Sequence, residues 1–490
     1  GNVSVDGGTI KLDGNYPTGT ENVALGDTAL DSVQSSGNYN VAVGSRAGTN
    51  ITTGDNNVSM GAFAMCDTQT NSENVAIGTE ALKKNTANNN TAVGYVSLRC
   101  NTTGTSLTAL GSEALKSNTT ANENVAVGEL SLTLNTTGCF NVGVGTSSLK
   151  FNTTGSRNTS VGRQALFCNT TGGFNTALGL DSMFENTTGS NNTAVGRSSL
   201  LCNTEGACNT AVGEQSLGAN TTADNNTAIG FCSLKNNTTG ADNTAVGSCS
   251  LDANTTGDKN TAVGHISLSS NTTGDENTAI GRSALFTNTT GDNNVAVGRL
   301  SLFSNTTGDN NTAVGKESLC ANTTSDGNVA VGVKSLVNNT TGANNTAVGF
   351  CAADGVTTGN CNIALGQHAL DGTSTSSSNI AIGYKALSGG NSNGSNLAIG
   401  RQTLFFTSTG KCNIAIGDRS QYCNTTGTIN TSVGYEALEE NQTGAANTAL
   451  GFRALEKNTT AGCNTALGDS SMGVNTTGVF NTAVGRSALG

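Results

Sequence analysis

The sequence predicts an all-β fold, a parallel β-solenoid of about 28 stacked coils. Three observations predict it. The pentad Asn-Thr-Ala-Val-Gly recurs along the 490 residues, and its closing glycine falls every 17 residues without a slip from Gly111 to Gly485. The composition, with 65 Gly, 1 Pro, no Trp and 4% aromatic residues, lacks the bulk that fills an ordinary globular core. Seventeen residues cannot hold two helices, and glycine with β-branched residues every few positions disfavours even one. So short a unit buries no core alone and must stack on copies of itself.

Counted from the Asn of the pentad as position 1, the unit reads N-T-A-V-G-x-x-(S/A)-L-x-x-N-T-T-G-x-x, and Asn158 to Phe174 is a good copy. Earlier pentad glycines stand at Gly26, Gly44, Gly61, Gly78 and Gly94, with one step of 18 (Gly26 to Gly44) and one of 16 (Gly78 to Gly94). The pattern predicts strands at positions 1–4 and 8–11, with turns at the pentad glycine and at N-T-T-G. Glycines at position 5, among them Gly162, Gly179, Gly196 and Gly213, and the frequent ones at position 15 fit positive-φ turns. Val, Ile or Leu at position 4 and Leu at position 9 are expected to form two inward ladders, including Val195, Leu200, Val212 and Leu217. Side chains alternate along a strand, so position 2 shares the face of position 4 and the near-constant Ala at position 3 faces away. That Ala column reads as a tight corner within one coil or as a subunit interface. The Asn columns at positions 1 and 12 are expected to form side-chain ladders from coil to coil.

Two parts of the chain are distinguished. Residues 1–21 hold a degenerate first coil and an insertion with Pro17, which reads as an N-terminal cap over an exposed sheet edge. Residues 22–490 form the continuous solenoid. The sequence stops at Gly490, position 10 of an ordinary coil, which predicts either a longer repeat array or an edge that docks on another subunit.

Several function classes are set aside. A net charge of -11 opposes a nucleic-acid footprint. No run of about eighteen apolar residues exists to cross a membrane. No basic segment followed by an apolar one opens the chain, so any signal peptide has been removed or lies outside this sequence. The two histidines, His265 and His368, stand at positions 6 and 7 of distant coils, with no nucleophile repeated beside them. No phosphate-binding glycine motif opens a helix. The chain is not expected to be an enzyme and no cofactor is implied. Charged residues of both signs collect at positions 6, 7, 10, 11, 16 and 17, as on a solvated surface.

Four features carry candidate chemistry. Asp258, Asp275, Asp292 and Asp309 stack at position 16 and read as a solvated turn or as a calcium column. Cys232 with Cys249, at position 7 of adjacent coils, and Cys202 with Cys208, flanking one turn, are candidate disulfides; buried thiols are the alternative. The turn Asn is also a glycosylation sequon, at Asn101, Asn118, Asn135, Asn152, Asn169, Asn186, Asn254, Asn271, Asn288 and Asn305, unless it serves only as a ladder residue. Threonine columns at positions 2, 13 and 14 offer a remote ice-binding reading.

The pentads Asn74-Val75-Ala76-Ile77-Gly78 and Asn379-Ile380-Ala381-Ile382-Gly383 resemble the head repeats of trimeric autotransporter adhesins of the YadA type. The longer N-T-A-V-G-x-x-A-L-x-x-N-T-T-G form is similar to repeats of phage tail-fibre-like surface proteins. The resemblance runs from about Asn22 to Gly490 and implies a left-handed parallel β-roll, commonly trimeric, that spaces or presents a binding tip. The 17-residue unit is longer than the adhesin's, and no coiled-coil stalk or anchor barrel accompanies it. The expected function is a structural shaft of an extracellular, cell-surface or virion fibre, self-associating end to end or sideways, with no nucleic-acid partner and no membrane insertion. An adhesin or receptor-binding fibre that recognises cell-surface glycans is the alternative.

Overall fold

The computed structural model describes residues 18–372, 375–390 and 394–489. Among them every regular element is a three-residue strand at positions 2–4 of a coil, 28 in all, and there is no helix. The protein is all-β, a parallel β-solenoid with a spacing of about 17 residues. It divides into two compact units, Gly1–Asn243 and Thr244–Gly490. The first holds β1 (Val23–Leu25) to β13 (Thr227–Ile229), the second β14 (Thr244–Val246) to β28 (Thr482–Val484). The cap expected over residues 1–21 falls, through residue 17, outside the described residues.

Register is one to one within each unit. In the first, β10 (Thr176–Leu178) pairs with β11 (Thr193–Val195) as Thr176 with Thr193, Ala177 with Ala194 and Leu178 with Val195. In the second, Thr261, Ala262 and Val263 pair with Thr278, Ala279 and Ile280. The irregular steps leave the strands in register, Val23 opposite Val41 and Val75 opposite Thr91. The extra and missing residues are absorbed in the N-T-T-G turn. There the carbonyls of Gly37 and Ala87 stand in for position 15, accepting from Asn22 Nδ2 at 2.8 Å and Asn74 Nδ2 at 3.0 Å.

The strand faces are inverted relative to the expectation. Ala194 and Ala211 at position 3 are fully buried, whereas Val195 and Val212 at position 4 are half-exposed and point outward with position 2. The width of the coil explains this. Seventeen residues close so narrow a loop that only a methyl or the hydroxymethyl of Ser59, Ser160 or Ser432 fits opposite the residue of position 9, and the branched side chains are turned out. Leu200 and Leu217 do line the interior, both at 0% exposure. With Ser or Ala at position 8, the Asn columns at positions 1 and 12 and the residue at position 15, they make a core of small, partly polar groups. The Ala column is thus neither a corner nor a subunit surface but the inner wall.

The second expected strand, at positions 8–11, does not form. Leu166 at position 9 has φ +50°, and Gln164 and Phe174 at positions 7 and 17 have +56° and +59°, a left-handed pattern that nearly every coil repeats. For an L-residue that conformation costs on the order of 1 kcal/mol. It turns the peptide groups along the stacking axis, so each meets a partner. Leu166 N–H reaches the Ser182 carbonyl of the next coil at 2.9 Å, and Gln164 N–H reaches Thr146 of the preceding one at 3.0 Å.

The position-5 glycines are required twice over. Gly162, Gly179, Gly196 and Gly213 have φ of +140°, +145°, +132° and +135°. A Cβ on Gly179 would stand 2.4 Å from the Gly196 carbonyl oxygen of the next coil. The position-15 glycines differ from the expectation, because Gly155, Gly172 and Gly206 carry no positive φ. Their backbones are only closely approached, and Ala121, Ala223 and Ala461 occupy the same position.

Candidate functional site

The sequon asparagines of position 12 build the polar spine of the interior. In the first unit Asn101, Asn118, Asn135, Asn152, Asn169 and Asn186 are at 0% exposure, and in the second so are Asn254, Asn271, Asn288 and Asn305. Asn169 Nδ2 donates to Asn152 Oδ1 of the preceding coil at 2.7 Å and to the Gly172 carbonyl of its own turn at 3.0 Å. Asn288 repeats this with Asn271 at 2.9 Å and Gly291 at 2.9 Å. Both Nδ2 hydrogens are spent inside the coil, so the fold has no place for a glycan there. A glycan on Nδ2 would remove one donor and demand room that the interior lacks. The stripe of glycans is corrected to an amide ladder.

Position 1 forms a second ladder. Asn175 N–H donates to Asn158 Oδ1 at 2.9 Å, while Asn175 Nδ2 crosses the coil to the Gly189 carbonyl at 2.8 Å. Where a coil carries both asparagines, its position-15 carbonyl receives the two and ties turn to strand, as Gly189 does for Asn175 and Asn186. A polar group this deep costs several kcal/mol unless it is bonded, and here nearly all are.

The aspartate column has a backbone role. Asp258 N–H donates to Asp275 Oδ1 at 2.7 Å, Asp275 N–H to Asp292 Oδ1 at 2.8 Å, and Asp292 N–H to Asp309 Oδ1 at 2.7 Å. Each carboxylate caps the peptide of the coil before it. Asn122 does the same for Thr105 N–H at 2.8 Å, and Ser156 for Cys139 N–H at 3.0 Å. The preference for Asp, Asn and Ser at position 16 was the readable signal of this cap.

Neither proposed disulfide is formed. Cys202, Cys208 and Cys249 carry free thiols. Cys232 Sγ is turned toward Gln215 Oε1 at 3.6 Å, and Cys249 Sγ accepts from Ser248 Oγ at 3.8 Å. Cys202 and Cys208 are drawn to opposite neighbours, the first bonding through N–H to Gly218 of the next coil and the second to Ser190 of the preceding one. Burial raises the thiol pKa of Cys168, Cys202, Cys320 and Cys423, and pushes that of Cys66 up to about 11. These are poor nucleophiles.

Two clusters escaped the sequence. His368 Nδ1 lies 2.7 Å from Asp371 Oδ2, and burial raises the carboxyl pKa of Asp371 and of nearby Asp354. His265 is exposed. Glu436, Glu439 and Glu456 gather oxygens within 4.8 Å of one another, the one described set with the geometry to hold a cation. Arg453 Nε meets Glu436 at 2.8 Å, Arg419 meets Glu439 at 2.5 Å and Lys457 meets Glu456 at 3.1 Å, so cationic side chains already occupy it. Helical or strand periodicity cannot show this, because positions 7 and 10 meet only through the left-handed turn.

The threonines are split between duties. Thr170 Oγ1 at position 13 donates to the Thr187 carbonyl at 3.1 Å, so that column offers no free row of hydroxyls. What remains outward is the strand face. Its two columns, positions 2 and 4, hold no charged residue in any of the 28 strands. Leu178 and Ile229 in the first unit are 47% and 41% exposed, and Ile280 and Leu450 in the second are 40% and 49%. Neither a protein-family model nor a curated protein matches the chain.

Proposed function

We propose that the chain is a structural shaft protein of an extracellular, cell-surface or virion fibre, and that copies of it pack side by side through the outward strand face. The observation that carries the reading is that face, two uncharged columns of Thr, Val, Ile and Leu repeating coil after coil. Monomeric proteins rarely leave so extended an apolar row in water. A partner that covers it must match a repeat of about 4.8 Å, and a second copy of the same chain does. The likeness of the pentads to adhesin head repeats supports the same role. Exposed stacked aromatics such as Tyr435 and Phe452, with centroids 5.4 Å apart, favour a second reading in which the fibre also binds glycans.

Mass per unit length, from scanning transmission microscopy, tests the packing. The 490 residues weigh 49.0 kDa, so one coil per about 4.8 Å gives about 0.35 kDa per Å for a single chain. An integral multiple of two or more times that value is expected. Particles at the single-chain value would overturn side-by-side packing.

A further inference from the structure

The fourteen cysteines are not scattered evenly between inside and outside. Four of them, Cys208, Cys361, Cys412 and Cys463, are exposed, and all four stand at position 17; the others are buried or half-buried. Cys361, Cys412 and Cys463 lie in the second unit and are each 51 residues apart, three coils. Their φ values of +58°, +57° and +62° are those of every coil's corner. At about 4.8 Å per coil the thiols follow one another at about 14 Å. That is twice the longest Cα separation a disulfide spans, so they cannot pair within one chain.

The same edge is also cleared of charge. From Ala343 to Phe480, positions 16 and 17 hold a single charged residue, Lys411, and expose Ile429 at 65% and Phe480 at 80%. Earlier in the same unit these positions carry Asp258, Lys259, Asp275, Glu276, Asp292, Asp309 and Asp326. Position 17 is two residues from position 2, so the line of thiols borders the apolar strand face.

We infer that this edge is a covalent seam, where Cys361, Cys412 and Cys463 form disulfides with the same residues of a second copy. The inference rests on the side-by-side packing proposed above and adds its chemistry. Equal spacing makes the line self-complementary. Parallel copies in register pair Cys361 with Cys361, Cys412 with Cys412 and Cys463 with Cys463; antiparallel copies pair Cys361 with Cys463 and again Cys412 with Cys412. Both full registers join Cys412 to Cys412. The oxidant is a small-molecule disulfide such as oxidised glutathione. Two protein thiols give up two protons and two electrons, the S–S bond of glutathione breaks, and two glutathione thiols leave.

The test uses the full chain, purified reduced and then treated with oxidised glutathione. Linked peptides are mapped by mass spectrometry under non-reducing conditions. Covalent pairs of chains are expected, with Cys412–Cys412 present and the cross-link lost in the triple variant C361S/C412S/C463S. Ser378 and Ser395 already occupy this position in neighbouring coils, so the variant keeps the fold. Glutathione adducts alone, or links through other cysteines, would overturn the seam. Sedimentation of the reduced chain separates the two readings. Copies that associate without a Cys412–Cys412 link overturn only the seam, and a chain that stays single at all concentrations overturns both.

Discussion

Asn339 and Val356 occupy position 12 of adjacent coils, and the valine leaves the buried Oδ1 of the asparagine without a donor. Asn339 still donates to Asn322 Oδ1 at 3.3 Å and to the Gly342 carbonyl at 2.8 Å, so it is the last rung of its ladder. Rungs within a ladder and at its end should then differ in worth. Asn288→Ala strands Asn271 Oδ1 and should cost about 2–3 kcal/mol. Asn339→Ala should cost about 1 kcal/mol, because the Ser325 hydroxyl also donates to Asn322 Oδ1. Repeat arrays do not unfold as one, so hydrogen exchange of the flanking amides is the measurement.

The two glycine columns make a second contrast. Gly213→Ala combines φ +135° with a Cβ 2.3 Å from the Gly230 carbonyl oxygen, and should open its coil at a cost of about 3 kcal/mol or more. Gly206→Ala also brings a Cβ within 2.5 Å of the Ala223 carbonyl oxygen, but it has no positive φ to strain and alanine serves at this position in other coils, so it should cost less, about 1–2 kcal/mol. Protease sensitivity of the two variants ranks them.

Inward and outward strand positions can be told apart in one coil. Ala194→Val inserts two methyl groups against a filled wall and should destabilise by about 1–3 kcal/mol. Val195→Thr, on the outward face, should change the stability of a single chain by less than about 0.5 kcal/mol. Chemical denaturation at low protein concentration checks both.

Acidity should favour the coils around Asp354. Burial, reinforced by Asp371, raises the folded pKa of Asp354 above its ordinary value, so the folded state holds the proton more tightly than the unfolded chain. The stability this gives is full below about pH 4, the ordinary carboxylate value, and is lost as pH rises through the raised folded value. Asp354→Asn should therefore be more protected than the parent chain at pH 7 and no better at about pH 3.5. Hydrogen exchange of the two proteins at each pH reads this directly.

The solenoid, its period and both asparagine columns were legible in the sequence because they repeat. What was misread depends on volume and backbone geometry that a linear pattern does not display. Alternation along a strand fixes which residues share a face but not which face is inside. Volume decides that, and the interior admits Ala194 but not Val195. The left-handed Leu166 and Gln164 left no mark either, since leucine at position 9 looks like any strand residue. The sequon was legible as a string and misleading as chemistry, because the same Asn169 amide that would take a sugar holds Asn152 and Gly172. The pairing of His368 with Asp371 and the gathering of Glu436, Glu439 and Glu456 depend on turn geometry that no linear period displays.

Three left-handed residues in a coil, such as Gln164, Leu166 and Phe174, have a bearing on how the chain folds. Each is unfavourable until a neighbouring coil supplies the carbonyl that receives its peptide hydrogen, the preceding coil for Gln164 and Phe174 and the following one for Leu166, and a lone coil has neither. A finished coil is thus the mould for the next, and order spreads from one to its successor like a zip closing. Nucleation is rare and growth is quick in such a process. The break between Asn339 and Val356, where one rung offers the next nothing to copy, is where that advance would pause.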